Sequence, residues 1–209
     1  LCAADAGVFV ATCAGNSGPG VSTVGNPGTM PWMTTVGAST QPRFFQGVIT
    51  LGNGKRYTGA SITPGVDWAP LVDAEDAGDA LCTPQYLGGG LDPAVVTGKI
   101  VLCRRGAVGR ADKGLAVAEA GGVGMIMYNN VNTDNLFTDT HWVPSVHIDN
   151  TPGLEIKAYI DTAANPRARI VTKKGEDPII SKWPKAPTMT IFSSRGPNAV
   201  APAIIKPDV

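Results

Sequence analysis

The sequence has no excess of charge of either sign. Its 17 Lys and Arg residues equal its 17 Asp and Glu residues, and charged residues make up only 16% of the 209 residues. Nucleic acid and anionic membrane surfaces select proteins with a clear excess of cations. We therefore expect no nucleic-acid partner and no membrane partner.

Long apolar runs and metal-binding cysteine patterns are also absent. No stretch reaches the roughly 18 apolar residues that a membrane-spanning helix needs. The cysteines form no Cys-x-x-Cys pair and no Cys/His cluster, and the acidic residues lack EF-hand spacing. The sequence therefore predicts no metal and no cofactor.

Apolar residues, glycine and proline are abundant. Apolar residues make up 43% of the chain, which also contains 26 Gly and 17 Pro. This composition is typical of a loop-rich globular fold, arranged as one large domain or two small ones.

Residues 98–130 carry the clearest fold signal. Two apolar runs, at 100–103 and 123–128, flank a segment of helix-forming residues that ends at Gly121-Gly122. This pattern predicts a βαβ unit with two parallel strands and a helix across one face. The loop after the first strand lacks a phosphate-binding motif, so we interpret the unit as a packing module.

Shorter signals predict the remaining elements. An Asn-Gly pair at 53–54 between apolar runs predicts a hairpin over 44–61. The other predicted strands are a buried strand over 7–13, a strand at 33–36 and a strand at 168–172. Residues 62–80 are predicted to form a solvated acidic linker that contains an edge strand at 71–72. A helix is predicted over 152–163, with apolar residues at 154, 156 and 160, and a second linker over 173–187.

Four cysteines, Cys2, Cys13, Cys82 and Cys103, allow three complete pairings. Cys82 and Cys103 lie on either side of a turn-rich segment. A disulfide between them would stabilise the fold by about 3 kcal/mol on the loop-entropy argument, and it would indicate an oxidising compartment. The alternative is two buried free thiols.

Asn16 is the first candidate site residue. It lies in the glycine-rich loop directly after the predicted strand over 7–13, and sites in α/β sheets form in loops at the carboxyl ends of strands. An asparagine beside a glycine is also typical of a turn that bonds its own backbone. The residue and its neighbours leave both interpretations open.

Residues 14–40 resemble the subtilisin-like serine proteases. The motifs are Ala-Gly-Asn at 14–16, Thr-Val-Gly-Asn-Pro-Gly at 23–28 and Val-Gly-Ala at 36–38, and Phe-Ser-Ser-Arg-Gly-Pro at 192–197 and Lys-Pro-Asp-Val at 206–209 match again. The resemblance implies that Asn16 is the oxyanion-hole donor. It also implies that Gly15 and Gly25 line the substrate pocket.

Residues 66–171 resemble the protease-associated (PA) domain that interrupts some of these proteases, notably in plants. The match includes Cys82, Gly-Lys-Ile-Val-Leu-Cys at 98–103 and Ala-Gly-Gly-Val-Gly-Met at 120–125. The implied fold class is α/β, with a PA domain (a βαβ-containing sheet with flanking helices) inserted between partial catalytic-domain segments. The expected domains are 1–61, a partial catalytic domain; 66–171, the PA domain; and 172–209, a linker and return to the catalytic domain.

The remaining polar residues suggest no catalytic group. His141 and His147 neighbour no glycine-framed nucleophile, so we interpret both as structural, and the basic run over 104–113 as a solvated face. Ser193 and Ser194 are not interpreted as nucleophiles. The family's nucleophilic serine lies in a later Gly-Thr-Ser-Met segment that this chain does not contain.

The resemblance implies a fragment of a secreted, extracellular serine endopeptidase, located in the apoplast or cell wall if the source is a plant. Its Ser-His-Asp triad is expected before residue 1 and after residue 209, so the fragment alone is expected to be inactive. Its protease strands are expected to lack sheet neighbours. The expected partners are a protein or peptide substrate and a second copy, in a homodimer through the PA domain. The alternative is an interaction module with no catalysis of its own.

Overall fold

A computed structural model describes residues 1–41, 44–133, 135–174, 177–178, 180–181 and 186–209. The chain divides into two compact units. The first unit combines Leu1–Pro42 with Lys182–Val209, and the second unit is Arg43–Ser181. The first unit is therefore built from both ends of the chain and the second from its middle.

Two short parallel strands organise the first unit. Helix α1 (Cys2–Asp5) precedes β1 (Ala11–Cys13), which pairs with β2 (Thr34–Val36). The expectation that these strands lack sheet neighbours is therefore wrong. The prediction of a buried strand over 7–13 is wrong in both length and burial: β1 covers only Ala11–Cys13 and its two end residues are exposed, and the Val8 N–H bonds back to the Ala3 carbonyl at 2.9 Å. Phe9, within the predicted strand, is 78% exposed.

One closed sheet forms the second unit. Its strands are β3 (Phe44–Leu51), β4 (Arg56–Ala60), β5 (Val66–Asp73), β6 (Ile100–Arg104), β7 (Gly124–Tyr128), β8 (Ser145–Ile148) and β9 (Arg167–Val171). A separate two-stranded ladder joins β10 (Lys173–Lys174) to β11 (Asp177–Pro178), and β12 (Ile180–Ser181) pairs with β3. The strand order is β12-β3-β4-β8-β7-β6-β5-β9, and an additional β3–β9 pairing closes the sheet.

The predicted βαβ unit is present. Strands β6 and β7 are parallel neighbours with Leu102 opposite Ile126, and α3 (Arg110–Glu119) connects them. The helix stops before Gly121, whose φ of 75° is one that glycine adopts without strain. A short helix, α2 (Pro93–Val96), precedes β6 and is capped by the Asp92 carboxylate, which accepts from the Ala94 N–H at 2.9 Å.

Alternation along β6 places its side chains in two different cores. Val101 and Cys103 belong to the core that α3 covers, whereas Ile100 and Leu102 belong to the core that α4 (Asn150–Thr162) covers. Successive side chains of a strand point to opposite faces, so a fully apolar strand indicates burial on both faces. All four residues are fully buried.

The hairpin over 44–61 forms as predicted, around the turn at residues 52–55. Its strands pair with β8 and β9, so it belongs to the second compact unit, whereas the sequence prediction grouped it with the first segment. Strand β5 is not the predicted edge strand, because it pairs with β6 on one side and β9 on the other. Residues 66–73 of the predicted linker are therefore part of the sheet.

Helix α4 (Asn150–Thr162) starts earlier than predicted. The Asp149 carboxylate accepts from the Asn150 N–H at 2.9 Å and so caps the helix there. Ile156 and Ile160 are buried as predicted, but Leu154 is 51% exposed. Part of the predicted linker over 173–187 (residues 175–176, 179 and 182–185) lies outside the described residues.

A disulfide joins Cys82 to Cys103, as predicted, with the two Cα atoms 5.9 Å apart. It ties the segment after β5 to the end of β6 inside the core under α3. Cys2 and Cys13 are free and exposed. Within the described ranges, no helix has the length and apolar character that crossing a membrane requires.

Candidate functional site

Asn16 lies at the edge of the first unit where β1 and β2 both end. It follows the last residue of β1 by three positions, and because the strands are parallel their carboxyl ends meet at one edge. The Ala14 N–H donates to the Val36 carbonyl at 2.9 Å, which ties the start of the loop to the end of β2. The Asn16 side chain is exposed, so a ligand can reach it.

Ser194 holds the Asn16 loop from the opposite end of the chain. The Ser194 N–H donates to the Gly15 carbonyl at 2.9 Å, and the Ser17 N–H donates to the Ser194 hydroxyl at 3.0 Å. These bonds fix the backbone on both sides of Asn16. Gly15 has a φ of 104°, and an added Cβ would lie 2.9 Å from the Ser194 hydroxyl oxygen, so a larger residue would disturb this arrangement.

Ser193 and Ser194 are structural in this unit. Both are buried, and the Ser193 hydroxyl accepts from the Ala38 N–H at 3.0 Å, just beyond β2. Their hydroxyl oxygens therefore hold loops of the first unit. Neither role could be read from the Phe-Ser-Ser motif alone, because the partners lie over 150 positions away along the chain.

A cleft of about 370 Å³ opens at this edge of the first unit. Gly25 is not among the described residues that line it; the residue is exposed, and an added Cβ there would meet nothing within 4 Å. Gly15 and Asn16 lie in the lining, together with Ala11, Thr12, Cys13, Ala14, Val36, Gly37, Ala38 and Ser193.

Comparison with known proteins assigns the family. The PA domain family matches residues 67–156. The subtilisin-like protease SBT1.5 of Arabidopsis thaliana is 42% identical over 99% of this chain and 28% of its own length. SBT1.4 of the same plant is 41% identical over 97% of this chain and 26% of its own length. The chain belongs to the plant subtilisin-like proteases.

This subtilase chain spans about a quarter of the length of the curated relatives that it matches. The predicted fold class, α/β with a PA domain between subtilase segments, is confirmed. Among solved structures, an aminopeptidase from Aneurinibacillus sp. strain AM-1 matches 65% of this chain and 34% of its own, with 23% identity and a TM-score of 0.46.

A buried lysine near the end of the subtilase chain supports β2, and sequence reasoning missed it. Lys206 is buried, and its ammonium donates to the Met33 carbonyl at 2.6 Å and to Asp208 at 2.7 Å. The Asp208 carboxylate also accepts from the Thr35 N–H at 2.7 Å, and the hydrogen bond from Lys206 lowers its pKa. The Lys-Pro-Asp motif was the available signal.

The two histidines of the PA domain differ in burial and bonding: His147 is buried, whereas His141 is half-buried and its Nδ1 has no hydrogen-bond partner among the described residues. His147 lies in β8, where its Nδ1 accepts from the Phe137 N–H at 2.9 Å and its Nε2 is 2.8 Å from the Asn129 amide oxygen. Burial, and then the charges of Arg105 and Arg110, lower the pKa of His147 to about 3. The imidazole is therefore neutral, with its proton on Nε2, and this is the environment of a structural histidine.

The basic run over 104–113 is not the solvated face that the sequence predicts. Lys113 is fully buried and donates to the Leu81 carbonyl, and burial lowers its pKa to about 8. Arg110 lies 4.2 Å from the Phe137 ring centroid and forms a two-bond pair with Asp139. Arg110 is therefore held by Phe137 and Asp139, and Lys113 by Leu81, so within this run Arg104 is exposed but these two cations do not project freely into solvent.

The acidic residues over 67–79 are structural where they are buried. Asp73 pairs with Lys157 of α4, and the Asp79 carboxylate accepts from the N–H groups of Leu81 at 2.8 Å and Thr83 at 2.6 Å, next to the disulfide. In the part of the chain that the structure describes, no group of three or more His, Cys, Asp or Glu side chains could hold a metal ion.

Proposed function

We propose that the chain is the part of a secreted serine endopeptidase that supplies the oxyanion-hole asparagine, Asn16, together with a PA domain that influences substrate access. The observation that carries the proposal is the exposed Asn16 amide in a cleft, on a loop bonded on both sides to Ser194. A donor of this kind accelerates acyl transfer only if it is held in place before the reaction.

The chemistry follows from the amide group. When a nucleophile attacks a peptide carbonyl, negative charge develops on the carbonyl oxygen, and an N–H donor aimed at that oxygen stabilises the transition state. Removing one such donor typically lowers turnover by about 10² to 10³. Gly15, in the cleft lining, leaves room for substrate beside Asn16, and Gly25 is proposed to serve the same pocket in the full protein.

Two substitutions of Asn16 in the full-length protease test this role. Asn16→Ala removes the donor, and Asn16→Asp keeps the shape but replaces the donating NH₂ with an accepting oxygen. Both are expected to lower kcat by about 10² to 10³ while KM changes little. Because Asn16 is exposed, thermal stability should stay the same.

Ser17→Ala is the matched control. Ser17 is the next residue of the loop, it is also exposed, and it contributes its backbone N–H rather than its hydroxyl to Ser194. Its substitution should leave kcat near the wild-type value. The proposal fails if Asn16→Asp retains wild-type turnover, because an acceptor cannot replace a donor at a developing alkoxide.

The catalytic triad is proposed to come from the parts of the protease that this chain does not span, in line with the quarter-length match to its relatives. The isolated chain should then neither hydrolyse a peptide substrate nor react with a fluorophosphonate probe. The Cys82–Cys103 disulfide favours secretion, because disulfides persist in oxidising compartments. Detection of the protein in the extracellular fluid of the source tissue tests that location.

Excision of the second unit tests its effect on substrate access. The boundaries of the compact units suggest replacing residues 43–181 of the protease with a short Gly-Ser linker. If the PA domain restricts the cleft entrance, the ratio of the cleavage rate of folded proteins to that of small peptides should be higher in the shortened enzyme than in the intact one. An unchanged ratio of the two rates would remove this part of the proposal.

An interaction module is the second candidate, and the independent core of the second unit favours it. This unit has a closed sheet with a packed core on each face, as a separately folding binding domain would. Under this reading the chain forms a homodimer or holds a partner through the PA domain, and Asn16 is incidental. Light scattering on the purified chain measures whether it forms a homodimer. Full turnover of Asn16→Ala in the full-length protease would support the interaction module over the enzyme.

A further inference from the structure

A groove in the second unit lies between β5, the start of β6 and the end of α4. It encloses about 600 Å³. Its apolar lining includes Leu71, Ile160 and Pro166, and its charged lining is Lys99, Arg167 and Asp76. The groove therefore combines a surface for an apolar side chain with two cations.

Trp68 stands beside this groove with part of its indole in solvent. The β5–β9 ladder shifts register between Val66 and Ala69, and such a bulge re-aims the side chains within it. Trp68 is 40% exposed. The guanidinium carbons of Arg167 and Arg169 lie 5.0 and 5.2 Å from the centre of its ring, so the indole orients Arg167, which lines the groove, together with its neighbour Arg169.

The cations of this site are not neutralised within the protein. Among the residues that the structure describes, Lys99, Arg167 and Arg169 form no salt bridge. The Nε of Arg169 is also buried without a hydrogen-bond partner. Asp76 is the one carboxylate in the described lining, so cations outnumber anions here. Arginines held by an aromatic ring and left unpaired are suited to bind carboxylates through paired hydrogen bonds.

We propose that this groove binds an acidic peptide segment. Asp or Glu carboxylates of the segment pair with Arg167 and Lys99, and an apolar side chain between them packs against Ala164 and Pro166, the more accessible apolar residues of the lining. An acidic peptide fits the site because one segment supplies both carboxylates for the two cations and an apolar side chain for the apolar lining between them. The proposal goes beyond the oxyanion role of Asn16 and does not depend on it.

Binding of a labelled peptide to the complete 209-residue chain tests the proposal. The probe is a short fluorescein-labelled peptide of alternating Glu and Leu, and its isosteric partner replaces every Glu with Gln. Fluorescence anisotropy at low salt should show binding of the Glu peptide alone, and about 1 M salt should weaken it strongly. The variants Arg167→Gln and Lys99→Gln should each weaken binding by about tenfold or more, as expected for loss of a charge-assisted hydrogen bond.

Arg56→Gln is the matched control, because Arg56 is an exposed arginine of β4 in the same unit. It should bind the Glu peptide like the wild type, and thermal unfolding should show that all three variants are folded. The proposal is overturned if the Glu and Gln peptides bind equally, if neither binds, or if Arg167→Gln and Lys99→Gln bind like Arg56→Gln. Tighter binding of oligogalacturonate than of the Glu peptide would overturn the peptide assignment.

Discussion

Thr40 and Thr188 are bonded to each other on either side of the second unit. The Thr40 N–H donates to the Thr188 carbonyl at 2.8 Å, and the Thr188 N–H donates to the Thr40 hydroxyl at 3.1 Å. The chain thus leaves the first unit and re-enters it at nearly the same point. An insertion with adjacent ends perturbs its host little, which explains how a domain of this size fits between subtilase segments.

Ser194→Ala is expected to displace the Asn16 loop. The substitution removes the acceptor of the Ser17 N–H and should destabilise the chain by about 1 kcal/mol. In the full-length protease it should also lower kcat by roughly tenfold to a hundredfold, because a small misplacement of a catalytic donor is costly. Steady-state kinetics that separate kcat from KM measure the effect.

Ser61→Ala is the matched control for this prediction. Ser61 is a buried serine of the second unit that is hydrogen-bonded to Thr63, so its loss should lower stability by a similar amount. Turnover should not fall. If both variants lose kcat equally, the effect of Ser194 is one of general stability and not of loop position.

Removing the Cys82–Cys103 disulfide should lower the free energy of unfolding by about 3 kcal/mol, the value expected for a loop of this length. The double variant Cys82→Ala/Cys103→Ala and urea unfolding of the 209-residue chain measure the loss. Cys2→Ala serves as the control, since that thiol is exposed and unpaired. Equal midpoints for the disulfide variant and the control would contradict the prediction.

His147 should make the chain less stable in acid. Its pKa is about 3 in the folded state and about 6.5 in an unfolded chain, so below pH 6.5 the unfolded state binds a proton that the folded state does not. The contribution of the neutral His147 to the free energy of unfolding is complete above about pH 6.5. It is lost as the pH falls toward 3, by up to about 1.4 kcal/mol per pH unit. In His147→Gln, stability measured by urea unfolding should fall less steeply over this range.

Thr133→Ala provides the comparison for the His147 prediction. The Thr133 hydroxyl accepts from the Asn129 amide, which itself contacts His147, but it does not titrate. This variant should shift the whole stability curve without changing its slope. Parallel curves for His147→Gln and the wild type would show that His147 does not control the acid sensitivity.

Asp208→Asn should lower the melting temperature more than Lys206→Met does. Asp208→Asn leaves the buried ammonium of Lys206 without its counter-charge, whereas Lys206→Met removes that charge and leaves a partly exposed carboxylate. Thermal unfolding followed by circular dichroism gives the order, and the double variant measures the coupling between the two residues. The reverse order would contradict the prediction.

Elements with a local pattern could be predicted from the sequence. The βαβ unit over 98–130 and the hairpin over 44–61 formed as expected, because side-chain periodicity and turn residues act over a few neighbouring positions. The prediction for β5 was wrong because its acidic and proline residues resemble a linker, and only its partners β6 and β9 make it a central strand. Pairing partners are not encoded near the strand itself.

The same distinction applies to charged residues. The run over 104–113 looked solvated, since most basic runs are, yet Lys113 is fully buried beneath the segment that the disulfide holds. Phe137, which lies under Arg110, follows it by 27 positions. Burial of a cation depends on what packs over it, and this information comes from distant parts of the chain.

By itself, the sequence determined the family, the periodicity of the central strands and helices, and the position of Asn16 directly after a strand. The tertiary structure alone decided that β3 and β9 pair to close the sheet. It also decided that Ser194 bonds to the Asn16 loop, at Ser17, from 177 positions away. The contacts of Arg167 and Arg169 with the Trp68 ring are likewise visible only in the folded chain. Motifs and periodicity act through neighbouring residues, whereas each of these contacts joins segments that meet only when the hydrophobic cores form.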